Sequence, residues 1–306
     1  MNILAVGSIA YDSIKTPFAS GKGVLGGSLT YFSLAAKYFS RVSIVGVVGQ
    51  DFKRQHLNLL RKHGINLSGL KIANGKTFRW SGIYNYDLNN RETLSTQLNV
   101  FKNFNPLISP RHQNIKTVFL GNIDPVLQLQ VLKQIKSPKL VVVDTMNYWI
   151  EKKRKILRRV LRQTDILIIN ESEARQLAGQ YNLSKAAGLI VGQMEATRRA
   201  GKATLLIKQG EYGLLMFHRR GWFSLPAIPL ERVFDPTGAG DSFAGGFVGC
   251  LASQKTVTDR ALKKAALYGT IMASFAVEKL GPFGLTSLSR AKINTRLNAL
   301  RLITRI

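Results

Sequence analysis

Two hydrophobic patterns alternate along the chain. Short, continuous apolar runs lie at 2–8, 42–48, 117–123, 140–145, 165–170, 203–208 and 212–217. Runs of this length and continuity predict strands buried on both faces. Between them, apolar residues recur with helical spacing at 28–39, 52–63, 125–136 and 172–200, the last broken near Leu183. A basic helix is expected near 150–162, and the last hundred residues predict helices at 239–253, 257–278 and 290–300. Strands alternating with helices predict an α/β fold with a mainly parallel sheet covered on both faces. One stretch breaks this rhythm. Residues 76–100 are polar and aromatic, with a turn-rich "DLNN" at 87–90, and predict an inserted β-hairpin. Such an insertion suits a lid over a ligand site. No internal repeat or low-complexity linker separates the elements, so a single domain over 1–306 is expected, with a small β lid contributed mainly by about 76–100.

Composition narrows the class. The 306 residues are 45% hydrophobic and 20% charged, enough apolar surface to build a core and too much for wholesale disorder. No apolar run approaches the roughly 18 residues that cross a bilayer. The first apolar run has no Lys or Arg ahead of it, unlike a signal peptide. The lone Cys250 excludes an internal disulfide framework and a cysteine-rich zinc site. A cytoplasmic setting is therefore expected. The formal charge of +27 raises the question of a nucleic-acid or membrane-surface partner. The basic residues, however, fall in scattered groups at 151–155, Arg158-Arg159, Arg198-Arg199, Arg219-Arg220 and Lys263-Lys264. Without a basic tail or interleaved aromatics, a generally basic proteome accounts for the charge better, and no specific nucleic-acid or membrane partner is expected.

Two glycine patterns mislead. Gly21, Gly23 and Gly26 have G-x-G-x-x-G spacing, but the segment before them contains Pro17, and the next acid is the distant Asp51. A dinucleotide fingerprint needs a strand before it and an acid about 20 residues on. "GLKIANGKT" at 69–77 resembles a P-loop, yet five residues, not four, separate Gly69 from Gly75. Asn74-Gly75 reads as a turn.

The chemistry concentrates in "DPTGAGDSFAGGFVG", residues 235–249. Thr237, Gly238, Ala239 and Gly240 precede an apolar-periodic helix. Small residues there let backbone N–H groups converge on one point, where the helix dipole favours an anion. Asp241 stands at the first turn. A carboxylate beside an anion nest suits phosphoryl transfer, accepting a hydroxyl proton while the nest holds negative charge. A helix cap alone would explain Asp241, but not Gly245, Gly246 and Gly249 inside the helix, which close backbone packing or a ligand explains better.

This segment resembles the C-terminal signature of the ribokinase-like, or PfkB, family of carbohydrate and nucleoside kinases. The resemblance extends over nearly the whole chain: Gly26-Gly27 before a helix, Val47 to Asp51, "NESE" at 170–173 and "KQGEYG" at 208–213 are all similar to family motifs. It implies a three-layer ribokinase-like fold, an ATP- and magnesium-dependent kinase, and a monovalent cation as a further candidate. It also implies roles. Asp241 matches the catalytic base, and Gly238, Ala239 and Gly240 the anion hole. Asn170 and Glu173 match residues that organise magnesium and phosphate, Glu173 being the candidate on the metal side; the same pair also outlines a capping box. Lys208, Gly210 and Thr237 fall on the nucleotide side, with Thr270 and the turn at 278–284 beside the adenine. Asp12, Gly26 and Gly27 fall on the acceptor side, joined by Arg91 from the lid and by Asn122, with Asp124 near it.

The acceptor class stays open at this level. The family signature carries an asparagine after the glycine pair, where this chain has Thr30 and Tyr31. Tyr31, Phe78, Trp80, Tyr84 and Tyr86 could instead offer stacking surface to a base, or pair across the hairpin. The expectation is phosphorylation of a hydroxyl on a sugar or sugar-like acceptor, with a nucleoside as the alternative. A non-catalytic, basic, anion- or RNA-binding protein is the alternative of another class. A homodimer through the lid is a further expectation.

Overall fold

A computed structural model describes residues 2–196, 203–219 and 221–304. Arg198, Arg199, Arg220 and the end of the helix expected to reach residue 200 lie outside the described residues. The chain divides into two compact units, Met1–Asn105 with Ile228–Ile306, and Pro106–Ala227.

The first unit opens with β1 (Asn2–Val6), β2 (Ala10–Lys15), β3 (Ser20–Gly26), α1 (Ser28–Ala36), β4 (Arg41–Gly49), α2 (Arg54–Lys62), β5 (Asn66–Ala73), β6 (Phe78–Tyr84) and β7 (Arg91–Gln97). β1 pairs in parallel with β4, and β4 with β5. Apart from its first residue, each of β1 and β4 is buried throughout, as their continuous apolar runs require. A second sheet has the order β3-β2-β6-β7. β2 runs antiparallel to β3 and parallel to β6, and β6 antiparallel to β7. Half of this sheet therefore comes from residues 10–26, outside the 76–100 stretch that the sequence marks. Strand β3 carries Gly21, Gly23 and Gly26, which removes the dinucleotide reading. Gly69 lies in β5, which removes the P-loop.

Asp51 fixes the base of the small sheet. Its Oδ1 accepts hydrogen bonds from Thr77 N (2.7 Å) and Thr77 Oγ1 (2.6 Å), and its Oδ2 from Arg79 (2.7 Å). These bonds hold its carboxyl below the usual range against the opposing effect of partial burial. The "VVGQD" turn thus anchors the start of β6.

The second unit contains β8 (Thr117–Leu120), α3 (Pro125–Gln134), β9 (Leu140–Asp144), α4 (Asn147–Lys152), α5 (Arg154–Leu161), β10 (Ile166–Asn170), α6 (Glu171–Ala178), α7 (Leu183–Glu195), β11 (Thr204–Lys208), β12 (Leu214–His218) and β13 (Gly221–Leu225). β8 to β11 pair in parallel in sequence order, and β12 and β13 continue the sheet antiparallel. The expected basic helix is two helices. They break at Lys153, whose non-helical backbone (φ −131°, ψ 33°) ends α4 and whose ammonium pairs with Asp124 at 2.5 Å. Leu157, Val160 and Leu161 form the buried face of α5, and Lys155, Arg158 and Arg159 are the solvated face of an amphipathic helix, while Arg154 turns inward to the Leu177 carbonyl at 2.8 Å. The predicted break near Leu183 occurs at Gly179, a left-handed C-cap with φ 66°, after which Asn182 caps α7.

The first unit resumes with α8 (Ala239–Ala252), α9 (Asp259–Ala276), a 3-10 turn at Gly281–Leu285 and α10 (Arg290–Ile303). The helix glycines have a packing cause. A Cβ at Gly245 would collide with the Phe32 carbonyl and Ala35 of α1, one at Gly249 would crowd Ala36, and one at Gly246 would meet the Tyr268 carbonyl and Met272 of α9. Close approach of α1 and α9 to α8 therefore explains them without a ligand. Phe32 and Phe247, both fully buried, belong to this core. Burying such a side chain stabilises by roughly 1.5–3 kcal/mol.

Candidate active site

The loop before α8 is built around a buried carboxylate. Asp235 is fully buried; its Oδ1 accepts from Thr237 N and its Oδ2 from Gly281 N, both at 2.9 Å. The Val277 carbonyl accepts from Phe234 N (2.8 Å) and Asp235 N (3.3 Å). Burial raises the Asp235 carboxyl, and these amides pull it back. Gly238 then takes φ 75°, a left-handed conformation, and becomes the N-cap of α8 with no side-chain cap. The Ala239 amide, expected in the anion hole, instead donates to the Pro236 carbonyl at 3.2 Å. Gly240 and Asp241 follow in the first helical turn, at the positive end of the helix dipole.

Asp12 meets this corner from β2. It is 4% exposed, and its Oδ2 occupies the space a Cβ at Gly26 would need. Burial pushes its carboxyl up to about 7, reinforced by Asp235 and more weakly by Asp241; a bond from the Gly27 amide and the charge of Arg91 act the other way. Gly27, with φ 88°, starts α1, and a Cβ there would collide with backbone from Ser8 to Ala10. Thr30 Oγ1 donates to the Gly26 carbonyl at 2.7 Å, so it does not replace the missing asparagine. Arg91 lies opposite Tyr84 in the β6–β7 register and holds its guanidinium 5.6 Å from the Trp80 ring centre. The first unit thus brings Asp12, Gly26, Gly27, Arg91, Gly238, Gly240 and Asp241 to one corner.

Other expected residues have other engagements. Thr237, expected on the nucleotide side, donates its hydroxyl to Tyr84 at 3.0 Å. Thr270 is buried within α9. A cavity of about 600 Å³ nearby is lined instead by Ile228, Leu230, Phe275, Glu278, Lys279 and Arg296, among others, so the 278–284 turn borders open space and Thr270 does not. The aromatic stacking surface is largely used up. Tyr31 is 1% exposed, Phe78 stacks on Phe101 at 5.4 Å, and Tyr84 is bonded to Thr237. Trp80 packs over Gly82 and donates to Thr93 at 3.3 Å. Tyr86 stays open, beside Phe18.

In the second unit, Asn122 Oδ1 accepts from the Trp149 indole at 3.0 Å. Asp124 caps α3 and pairs with Lys153. Asn170 and Glu173 form the complete capping box: Asn170 Oδ1 accepts from Glu173 N, and Glu173 Oε2 accepts from Asn170 N, both at 2.8 Å. Lys208 Nζ stands 3.8 Å from Asp144 Oδ2, and Gly210, with φ 58°, opens a 3-10 turn. Among the described residues no group of three or more His, Cys, Asp or Glu could hold a metal. Magnesium carried on ATP phosphates needs only one or two carboxylates. Glu173, a carboxylate 8% exposed at the start of α6, is a residue of the type that could take such a role.

Sequence reasoning missed the hub position of Asp235 and the Tyr84–Thr237 bond. The aspartate's place inside the signature was the available signal for the first. The second spans 153 residues and left none.

The chain matches the pfkB family of carbohydrate kinases over residues 5–285. It belongs to that family. The kinase uses ATP to phosphorylate a hydroxyl of a small-molecule acceptor. It is 26% identical over 293 residues to a cytidine kinase of Thermococcus kodakarensis, covering 94% of this chain and 99% of the relative. It is 25% identical to a nucleoside kinase of Methanocaldococcus jannaschii, over 88% of this chain and 83% of the relative. The solved structure of the Methanocaldococcus jannaschii nucleoside kinase superimposes with a TM-score of 0.76 at 22% identity, covering 97% of this chain and 98% of that one. That of a Burkholderia thailandensis nucleoside kinase in complex with inosine gives 0.78 at 20%, covering 97% of each. These likenesses show a three-layer α/β fold with a large, mainly parallel sheet flanked by helices. No helix among the described residues is long and apolar enough to cross a membrane.

Proposed function

We propose that this kinase transfers the γ-phosphoryl group of ATP to a sugar hydroxyl of a nucleoside, with Asp241 as general base. The observation that carries the reading is the convergence of Asp12 and Asp241 on the uncapped, left-handed start of α8. Asp241 takes the proton of the acceptor hydroxyl as its oxygen attacks phosphorus, and the bond from phosphorus to the ADP oxygen breaks. The Gly240 and Asp241 amides, with Gly238 turning the chain toward them, offset charge on the moving phosphoryl group. Asp12, ionised, accepts from acceptor hydroxyls, with Arg91 beside it. The nucleoside assignment is supported by the cytidine and nucleoside kinases that align along most of the chain. It does not rest on aromatic stacking from the small sheet, whose rings are mostly engaged.

The cavity bordered by Phe275, Glu278 and Lys279 is the candidate for the adenine of ATP. Asn170, Glu173, Lys208 and Gly210 are proposed to serve magnesium and phosphate in the second unit, Asn170 and Glu173 acting through water. Magnesium, when bound, neutralises charge on the phosphates. A monovalent cation is a further candidate cofactor. The fully exposed edge strand β7 supports pairing of two copies through the small sheet, acting as a lid. A single, buried cysteine suits a cytoplasmic setting.

The test is ADP release with ribose, fructose, inositol, adenosine, guanosine and cytidine under one condition. We expect the highest kcat/KM for a nucleoside. Ribose or fructose exceeding every nucleoside tenfold would return the assignment to a simple sugar.

A further inference from the structure

Gln128, in α3, is a fully buried polar side chain that the proposed mechanism leaves unused. Its Nε2 donates to two main-chain carbonyls, those of Gly121 and Asp144, both at 3.0 Å. Its Oε1 is shut off from solvent and has no hydrogen-bond partner among the described residues. Only the NH2 end of an amide can donate, so the two carbonyls settle which way the group points. A buried acceptor without a partner costs stability, and Leu or Met would fill the space without one. What glutamine adds is the pair of donors. The two carbonyls they hold mark the end of a strand pair. β8 and β9 run in register as far as Leu120 opposite Val143, so Gly121 and Asp144 are the next step.

Asp144, Asn170 and Lys208 are the last residues of β9, β10 and β11. Asn170 lies opposite Lys208 in the register, and Lys208 Nζ stands 3.8 Å from Asp144 Oδ2. Ligands of parallel α/β sheets bind outside such carboxyl ends. We propose that Gln128 is a positioning residue for the phosphate side of the ATP site, clamping the end of β9 so that Asp144 keeps Lys208 in place. The proposal rests on the reading of Lys208 as a residue that serves the phosphates. Gln128 touches no substrate and acts through the main chain of Asp144. The Asp144 carboxylate is tied to that main chain, since its Oδ1 accepts from Thr145 N at 2.7 Å. A shift of the strand end therefore carries the carboxylate with it. Asn122, next to Gly121, is held separately by the Trp149 indole at 3.0 Å. Loss of the clamp thus falls on the ATP side and spares the acceptor.

Gln128→Met keeps the length of the side chain and removes both donors. Gln128→Glu keeps its shape, and a buried carboxyl facing two carbonyl oxygens holds its proton and restores one donor. Lys208→Met and the double variant complete a cycle. Steady-state kinetics are read at a temperature where circular dichroism shows each variant folded. We expect Gln128→Met to raise KM for ATP about tenfold, with KM for the best acceptor in the panel unchanged. In the Lys208→Met background it should add no further rise. Gln128→Glu should recover part of the loss at low pH and forfeit it as the carboxyl ionises. Should the methionine variant not fold, that pH profile decides alone: KM for ATP climbing with pH beyond the wild type supports the clamp, and a parallel profile overturns it. A lowered Tm with unchanged KM for ATP in the folded enzyme means a purely structural glutamine and overturns the proposal. So does a rise that adds in full to that of Lys208→Met. If Lys208→Met itself leaves KM for ATP unchanged, the phosphate reading of Lys208 falls and takes the proposal with it. A Lys208 effect without a Gln128 effect removes the proposal alone.

Discussion

Helices α8 and α6 both carry acids in their first turn, and both matched family motifs in the sequence. Their first turns differ. At α6, Asn170 and Glu173 satisfy each other's backbone amides in a closed capping box. At α8 the N-cap is Gly238, which has no side chain to offer, and the loop acid Asp235 is turned back onto Thr237 and Gly281. A closed box spends the helix's positive end on its own side chains. An open one keeps it for an anion. The contrast is what the proposed division of roles rests on, stability first at α6 and phosphoryl chemistry at α8.

Asp241→Asn is the largest test of the open end. Loss of the general base is expected to lower kcat by 10²–10⁴-fold, with ATP affinity measured by calorimetry nearly unchanged. A variant that keeps near wild-type kcat would remove α8 from the chemistry and with it the contrast.

Gly238→Ala comes next, set against Gly179→Ala at the left-handed C-cap of α6. Both glycines have positive φ, 75° and 66°. Left-handed backbone costs a non-glycine residue about 1–2 kcal/mol, so both variants should lose stability. A Cβ at Gly179 meets nothing nearer than Arg154 at 4.0 Å, whereas at Gly238 it overlaps the Tyr31 ring. Gly238→Ala should therefore also shift the nest and cost roughly 10²-fold in kcat. Equal kcat losses in the two variants would sink the assignment of the nest.

How much of this was legible beforehand differs between the two helix starts. The box at α6 is local: Asn and Glu three residues apart determine it, and the spacing announced it. The nest at α8 was legible as a motif, but the commitment of the Ala239 amide to Pro236 was not, because it depends on the loop's path. Strands β2 and β3 were missed for a related reason. Ser, Gly, Lys and Asp interrupt their apolar alternation, and β2 is a strand because β6, over fifty residues away, supplies its parallel partner, with β3 pairing antiparallel to β2 on its other edge. The helix glycines of α8 announced close contact, yet only packing against α1 and α9 told a helix neighbour from a ligand.

Asp12 gives a pH test of the open corner. Its folded pKa of about 7 stands above the ordinary 3.8. Between pH 4 and 7 the folded protein keeps a proton that the unfolded chain has lost. Stability from this group is therefore present at low pH and falls as pH rises to about 7, by on the order of 4 kcal/mol. Acceptor kcat/KM should move the other way, rising about tenfold per unit below pH 7 and levelling above it, as Asp12 ionises. Asp12→Asn should raise Tm at pH 8, abolish that limb of the profile and lower acceptor kcat/KM. A profile flat from pH 5.5 to 8 would detach Asp12 from the acceptor.

The smallest effect separates cap from chemistry at α6 itself. Asn170→Ala removes the side-chain cap and should cost about 1 kcal/mol of stability, read in denaturant unfolding. That loss alone says nothing about phosphate or metal, because a purely structural box predicts it equally. Glu173→Gln is the sharper substitution. Glutamine can still accept from the Asn170 amide, as capping boxes allow, so geometry and stability should hold. Only the charge is lost. If Glu173 also serves magnesium, the magnesium concentration for half-maximal activity should rise several-fold, while kcat at saturating magnesium changes less. If the carboxylate works as a cap alone, the magnesium titration of Glu173→Gln will overlay that of the wild type. The two helix starts would then divide the labour fully, α6 closed for structure and α8 open for catalysis.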